Sequence, residues 1–164
     1  MVDLSVAYCA TSFGIFKITG DENGIQAIQL TPKKTLPKQI VPPPLKKAVR
    51  QLTQYFNGRR KEFDLKLNFG DAPSFHQEVW KELVTIPYGH TTSYSAIAST
   101  LGDANKMRAV GQANRNNPIP IVVPCHRVIA KSGKLQGYYY GLDMKRKLLE
   151  LENPMSFATQ GSLF

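Results

Sequence analysis

The texture of this chain changes near Pro73, from strands around a single helix to short helices alone, and that change limits what the two halves can fold into. Before it, VAYCA, FGIFKIT and GIQAIQL read as short strands, and the turn-forming DENG between the last two is a hairpin signal. TPKKTLPKQIVPPP follows as a connector, because three successive prolines cannot sit inside a helix. Leu45, Ala48, Val49, Leu52, Tyr55 and Phe56 then recur on one face at helical spacing, and Asn57-Gly58 stops that helix. KEFDLKLNF alternates as a final strand. Residues 1–72 are therefore expected to form an α/β domain, a small antiparallel sheet with one helix.

Beyond Pro73 the texture is that of short helices. Pro73 can start one whose apolar face carries Phe75, Val79 and Leu83, and IPYG turns the chain. Ser93 can cap a second helix packing through Ile97 and Leu101, which Gly102 ends. After GDAN a third runs through KMRAVGQANR, so the pair makes a helix-turn-helix candidate. Its Met107, Val110 and Asn114 share one side, the first two suited to a core. Arg108, Gly111, Gln112 and Arg115 form a cationic stripe on the other. A glycine inside a helix costs roughly 1 kcal/mol against alanine, so Gly111 needs a reason. Close approach of a nucleic-acid strand and tight packing on a neighbouring helix both qualify. In the last helix Asp143 is the expected cap, and Met144, Leu148 and Leu151 the buried stripe. Residues 73–154 make a mainly helical domain, and 155–164 a tail.

A net charge of +9 favours polyanionic partners, nucleic acid above all, although a basic surface can also be inert. No apolar run approaches a membrane span, and MVDLSVAYCATSF lacks the basic start of a signal peptide, so an intracellular, cytoplasmic location is expected. Two cysteines, Cys9 and Cys125, make neither a disulfide framework nor a zinc site.

Cys125 is the residue to explain. It follows the β-branched run IPIVV and precedes His126 and Arg127. A nearby base or cation turns a thiol into a nucleophile, but adjacent residues on an extended chain face opposite ways. A Cys-His pair alone therefore decides little. Glu152, in the last turn of the final helix, faces the negative end of the helix dipole and calls for a cationic or hydrogen-bonding partner. His126 is the candidate, giving a Cys-His-Glu relay; a solvated glutamate on a frayed helix end is the alternative.

PCHRV resembles the active-site motif of the methylated-DNA–protein-cysteine methyltransferases, also called 6-O-alkylguanine-DNA alkyltransferases. SFHQEVWKELVTIPYGHTTSYSAIASTLG, MRAVGQANRNNPIPIVVPCHRVI and GYYYGLDMKRKLLELE follow that family's pattern in order and spacing over most of residues 74–152. The N-terminal half matches in general layout. The resemblance implies a ribonuclease H-like N-terminal domain before the helix-turn-helix domain. It also implies transfer of the alkyl group, chiefly methyl, from 6-O-alkylguanine in DNA to Cys125, with 4-O-methylthymine as a second substrate. The reaction is stoichiometric and self-inactivating, because water does not cleave a thioether, and it needs no cofactor and no metal.

By the same resemblance His126 takes the thiol proton through a water and Glu152 holds the imidazole. Asn117 is the hinge between the recognition helix and the active-site strand, and Tyr94 donates a proton to ring nitrogen 3 of the leaving guanine. Arg108 fills the gap left by a nucleotide flipped from a double-stranded partner, with the helix in the minor groove and the small residues Ala109, Gly111 and Ala113 suiting that space. Ser95 and Lys131 fall where the family touches the DNA backbone. Pro120, Val128, Tyr138 and, next to it, Tyr139 and Tyr140 line the base pocket. Binding of this kind has weak sequence preference and strong salt dependence, by a monomer.

Some departures from the family carry information. With Cys9 alone in the first domain, the cysteine–histidine zinc set of some members is missing. Tyr140 stands where several members have a small residue, and is expected to tighten the pocket in favour of methyl over benzyl adducts. Gln160 to Phe164, QGSLF, resembles the short peptide by which bacterial repair proteins dock on the sliding clamp. Two other readings remain: a lesion sensor that does not react, and a helix-turn-helix transcription factor with an incidental thiol. The sensors of this kind replace the acceptor cysteine, which this chain keeps.

Overall fold

The computed structural model describes residues 3–155. Two compact units, Met1–Asp71 and Ala72–Phe164, divide the chain. The tail motif at 160–164 lies outside the described residues.

The first unit is an antiparallel meander of β1 (Ser5–Thr11), β2 (Gly14–Asp21) and β3 (Gly24–Leu30). Asp21 pairs with Gly24 across the DENG turn, whose Gly24 has a φ of 131° that side chains avoid. α1 (Lys46–Phe56) covers one face, burying Ala48, Leu52, Tyr55 and Phe56 against Phe16, Ile18 and Ile28. Cys9 is buried there, its thiol 3.4 Å from Thr53 Oγ1.

Two expectations for this unit need correction. Pro43 and Pro44 are not outside the helical segment: with Leu45 they form a 3-10 turn leading into α1, where the missing N–H groups cost nothing. KEFDLKLNF is not a strand. It meets β3 at one parallel bridge, where Ile25 N donates to Lys66 O and Asn68 N to Ile25 O. Upstream, the buried Gln51 side chain takes both backbone groups of Asp64, leaving no ladder to extend.

The second unit contains α2 (Ser74–Val84), β4 (Thr92–Ser93), α3 (Tyr94–Thr100), α4 (Met107–Arg115), β5 (Val128–Ile129) and α5 (Leu142–Glu152). Ser93 caps α3 by accepting from Ala96 N, and Gly102, at φ 98°, turns the chain toward α4, completing a helix-turn-helix. β4 and β5 pair in parallel, Thr92 with Val128 and Ser93 with Ile129. That pairing holds the start of α3 beside the Cys125 segment. Trp80 of α2 donates its indole N–H to Ala113 O of α4 at 2.8 Å, so Ala113 faces the core and not a groove.

Several details of this unit differ from expectation. Met107 is half exposed, and the inward side of α4 is Val110, Ala113 and Asn114. The segment from Ile119 to Pro124 is no strand; it turns, with Ile121 at φ 76°, into a 3-10 turn over Cys125–Arg127. Asp143 does not cap α5. It lies in the first turn and pairs with Arg146 and Lys147, Gly141 being the capping position. The buried side of α5 is Lys145, Leu148, Leu149 and Glu152, one position off the expected stripe, because a charged residue at each end finds buried partners. No helix among the described residues is long and apolar enough to cross a membrane.

Candidate active site

Cys125 is 5% exposed and opens the 3-10 turn. Because that turn is helical, Cys125, His126 and Arg127 are all buried rather than alternating. Burial pushes the thiol up to about 11, against the opposing pull of a hydrogen bond from Asn117, the charge of Lys145 and the local backbone N–H groups. The thiol is therefore protonated at neutral pH, and any use of it as a nucleophile requires a base.

His126 is fully buried and bonds Glu152 Oε2 through Nε2 at 2.7 Å. Burial lowers the imidazole's affinity for a proton, against the opposing pull of Glu152. Burial alone would raise Glu152, but His126 and the hydrogen-bonded Arg127 outweigh it and hold the carboxyl well below its ordinary range. A carboxylate only accepts, so Nε2 carries the proton and Nδ1 keeps a lone pair. Nδ1 is the basic atom of the group.

Arg127 went unassigned in the sequence. It binds Glu152 with two arms, gives Nη1 to Ile86 O at 2.7 Å, and lies over the Tyr88 ring at 5.7 Å. The IPYG turn and the end of α5 are thereby joined: Tyr88 Oη donates to Leu151 O and Asn153 Nδ2 to Gly89 O. Lys145 was also missed. Its Nζ donates to Val128 O and Gln136 O, and burial lowers it to about 8, with Cys125 opposing. The signal was present: Lys145, Leu148, Leu149 and Glu152 follow i, i+3, i+4, i+7 spacing.

Asn117 braces the loop from two sides, Nδ2 donating to Val123 O at 2.7 Å and Oδ1 accepting from Ile119 N at 2.9 Å. Tyr94 Oη donates to Gln136 O at 3.0 Å, and burial together with Cys125 raises the phenol to about 12. Gly137, at φ 74°, passes so close that a Cβ there would lie 2.9 Å from the phenol oxygen. Tyr138 is buried, and its phenol is held up by burial and by Cys125.

A cavity of about 510 Å³ opens beside Tyr94, with neither Cys125 nor Tyr138 in its lining. Tyr94, Gln136 and Gly137 line it together with Met107, Arg108, Gly111, Gln112 and Arg115 of α4. Arg108 is exposed, Ala109 half-buried, and a Cβ on Gly111 would meet only the Tyr94 ring, at 3.8 Å, an ordinary contact. Internal packing thus does not demand glycine. Pro120 and Val128 are buried, Ser95 is half-buried against Ser93 at 3.1 Å, and Lys131 is exposed. Tyr139 is 68% exposed, while Tyr140 packs edge-on against it at 4.9 Å. None of these six lines the cavity. Among the described residues no cluster of three or more His, Cys, Asp or Glu side chains is placed to hold a metal.

Residues 74–154 match the family described as 6-O-methylguanine DNA methyltransferase, DNA binding domain, and residues 4–69 its ribonuclease-like domain. A methylated-DNA–protein-cysteine methyltransferase of Methanosarcina acetivorans is 44% identical over 147 residues, covering 85% of this chain and 92% of that one. The chain belongs to the methylated-DNA–protein-cysteine methyltransferase family. Its Mycobacterium tuberculosis member is 56% identical over 105 residues, a match spanning 64% of this chain and 63% of the relative's length. The fold is similar to that of the M. tuberculosis OGT in complex with DNA, with a TM-score of 0.81 and 41% identity over 91% of this chain and 92% of that one. The ribonuclease-like and helix-turn-helix halves are those expected of this methyltransferase family.

Proposed function

We propose that this protein repairs DNA by taking the alkyl group of 6-O-alkylguanine, chiefly methyl, onto Cys125, once per chain. The observation that carries the reading is the buried, protonated thiol in the same turn as an imidazole whose Nε2 is fixed on an ionised glutamate.

The Sγ proton passes through a water to His126 Nδ1 as the sulfur electron pair forms a bond to the alkyl carbon. The carbon–oxygen bond breaks, its electrons enter the guanine, and Tyr94 gives its proton to ring nitrogen 3. Solvent then returns the proton from His126 to Tyr94, so the net change moves one hydrogen from thiol to base and one alkyl group the other way. Tyr94 lies on the cavity wall, and burial keeps its proton until the base's negative charge develops.

The partner is duplex DNA, its guanine flipped into the cavity because a stacked base cannot reach a buried thiol. Arg108 and Arg115 flank the opening, with Arg108 filling the vacated stack and Gly111 allowing close approach. Affinity should fall steeply with salt. Intact-protein mass after mixing with an oligonucleotide carrying one 6-O-methylguanine is the test. One methyl's gain, saturating at one per chain and absent in Cys125→Ser, is expected. Tight lesion binding with no mass change would instead mean a sensor.

A further inference from the structure

Two buried side-chain acceptors lack a hydrogen-bond partner among the described residues: His126 Nδ1 and Asn114 Oδ1. Their residues are 0% and 1% exposed. Both adjoin the same peptide link, because Asn114 Nδ2 donates to Cys125 O at 3.3 Å and His126 is the next residue. The orientation of each follows from its other bond. Cys125 O can only accept, so the Asn114 amide nitrogen faces it and Oδ1 is turned away. Glu152 can only accept, so His126 Nδ1 bears a lone pair.

Two acceptors cannot satisfy each other, and buried acceptors are rarely left without a donor. A molecule with two hydrogens to give, and lone pairs to spare, suits both. We infer that Asn114 is a positioning residue that anchors the water carrying the Cys125 proton to His126. With one hydrogen on Nδ1 and the other on Oδ1, the water has only lone pairs free, and a thiol hydrogen is what they can accept. The water is thereby pre-set to accept from sulfur and to donate to imidazole, which is the direction the transfer needs. Asn117 is engaged elsewhere, its amide bonded to Val123 O, Ile119 N and the Cys125 thiol. The inference rests on the transfer proposed above.

Asn114→Leu keeps the side-chain volume and removes the acceptor. Single-turnover transfer from a 6-O-methylguanine oligonucleotide, followed from pH 6 to 10, should slow about tenfold or more near neutrality. The deficit should shrink as pH rises, because hydroxide then ionises the thiol without the relay. Lesion affinity, measured in Cys125→Ser backgrounds, should not change. A rate equal to that of the unaltered protein, or a loss by the same factor at every pH, overturns the inference. If the variant fails to fold, a crystal structure of the unaltered protein with ordered waters decides. One water bonded to both Oδ1 and Nδ1 supports the inference, and a water touching one of them only overturns it. Failure of the unaltered protein to gain a methyl would overturn the transfer itself, a separate result.

Discussion

Arg127 holds Glu152 with two parallel hydrogen bonds, Nε to Oε1 at 2.8 Å and Nη2 to Oε2 at 2.9 Å, with both side chains buried. His126 shares Oε2 from the other side. The glutamate at the end of α5 is thus charge-balanced where the helix dipole alone would repel it.

Removing one partner of such a buried pair leaves an uncompensated charge. Arg127→Met should lower the free energy of unfolding by about 3–5 kcal/mol, read from urea denaturation. It should also slow methyl transfer, because Glu152 loses the restraint that aims it at His126. A change under about 1 kcal/mol would mean the pair is solvated in solution.

Acid should destabilise the fold through the same group. Glu152 is held below its unfolded value, so its contribution is present above about pH 4.3 and is lost as pH falls through the folded value. His126 is lowered too, so the unfolded chain takes up a proton there first, and stability already declines below about pH 6.5. Urea midpoints between pH 4 and 8 should therefore fall steadily toward acid. Glu152→Gln should be less stable at pH 7 and show a shallower slope at the acid end.

Substitution of Gly111 separates helix stability from the proposed DNA contact. Its Cβ position is open except for an ordinary contact with Tyr94, so Gly111→Ala should stabilise α4 by up to about 1 kcal/mol. The same change should weaken binding to a lesion-bearing duplex, because the methyl points into the cavity where a strand would approach. Thermal unfolding and a titration on one preparation test both. Unchanged affinity would leave the glycine without an explanation.

Tyr140 packs against Tyr139 and, at 6.2 Å, against Tyr138. If it narrows access for bulky adducts, Tyr140→Gly should react faster with benzylated guanine and little faster with the methylated base. Competition between the two substrates gives the ratio directly, and an unchanged ratio ends the idea.

The elements most legible in the sequence were those set by local rules. The three strands carry alternation and turn residues, and the Ser93 cap and the Gly102 exit are short-range chemistry. Where the structure departs from the local pattern, a distant partner is responsible. KEFDLKLNF alternates like a strand, but Gln51, from α1, had already claimed the backbone of Asp64. The α5 stripe was displaced by one position because Lys145, ordinarily a surface residue, finds two carbonyl oxygens inside.

Local sequence determined the period of each element, the caps and turns, the family motifs around Cys125, and the pairing of a histidine beside the thiol. Those properties depend on residues within one or two turns of each other. What only the tertiary structure decided is which buried groups meet: Arg127 on Glu152 and Ile86, Lys145 between Val128 and Gln136, and Asn114 against the Cys125 carbonyl. These partners lie 9 to 41 positions apart along the chain, and no helical or strand period links them. Burial forces each polar atom to find a partner, and packing alone chooses which one.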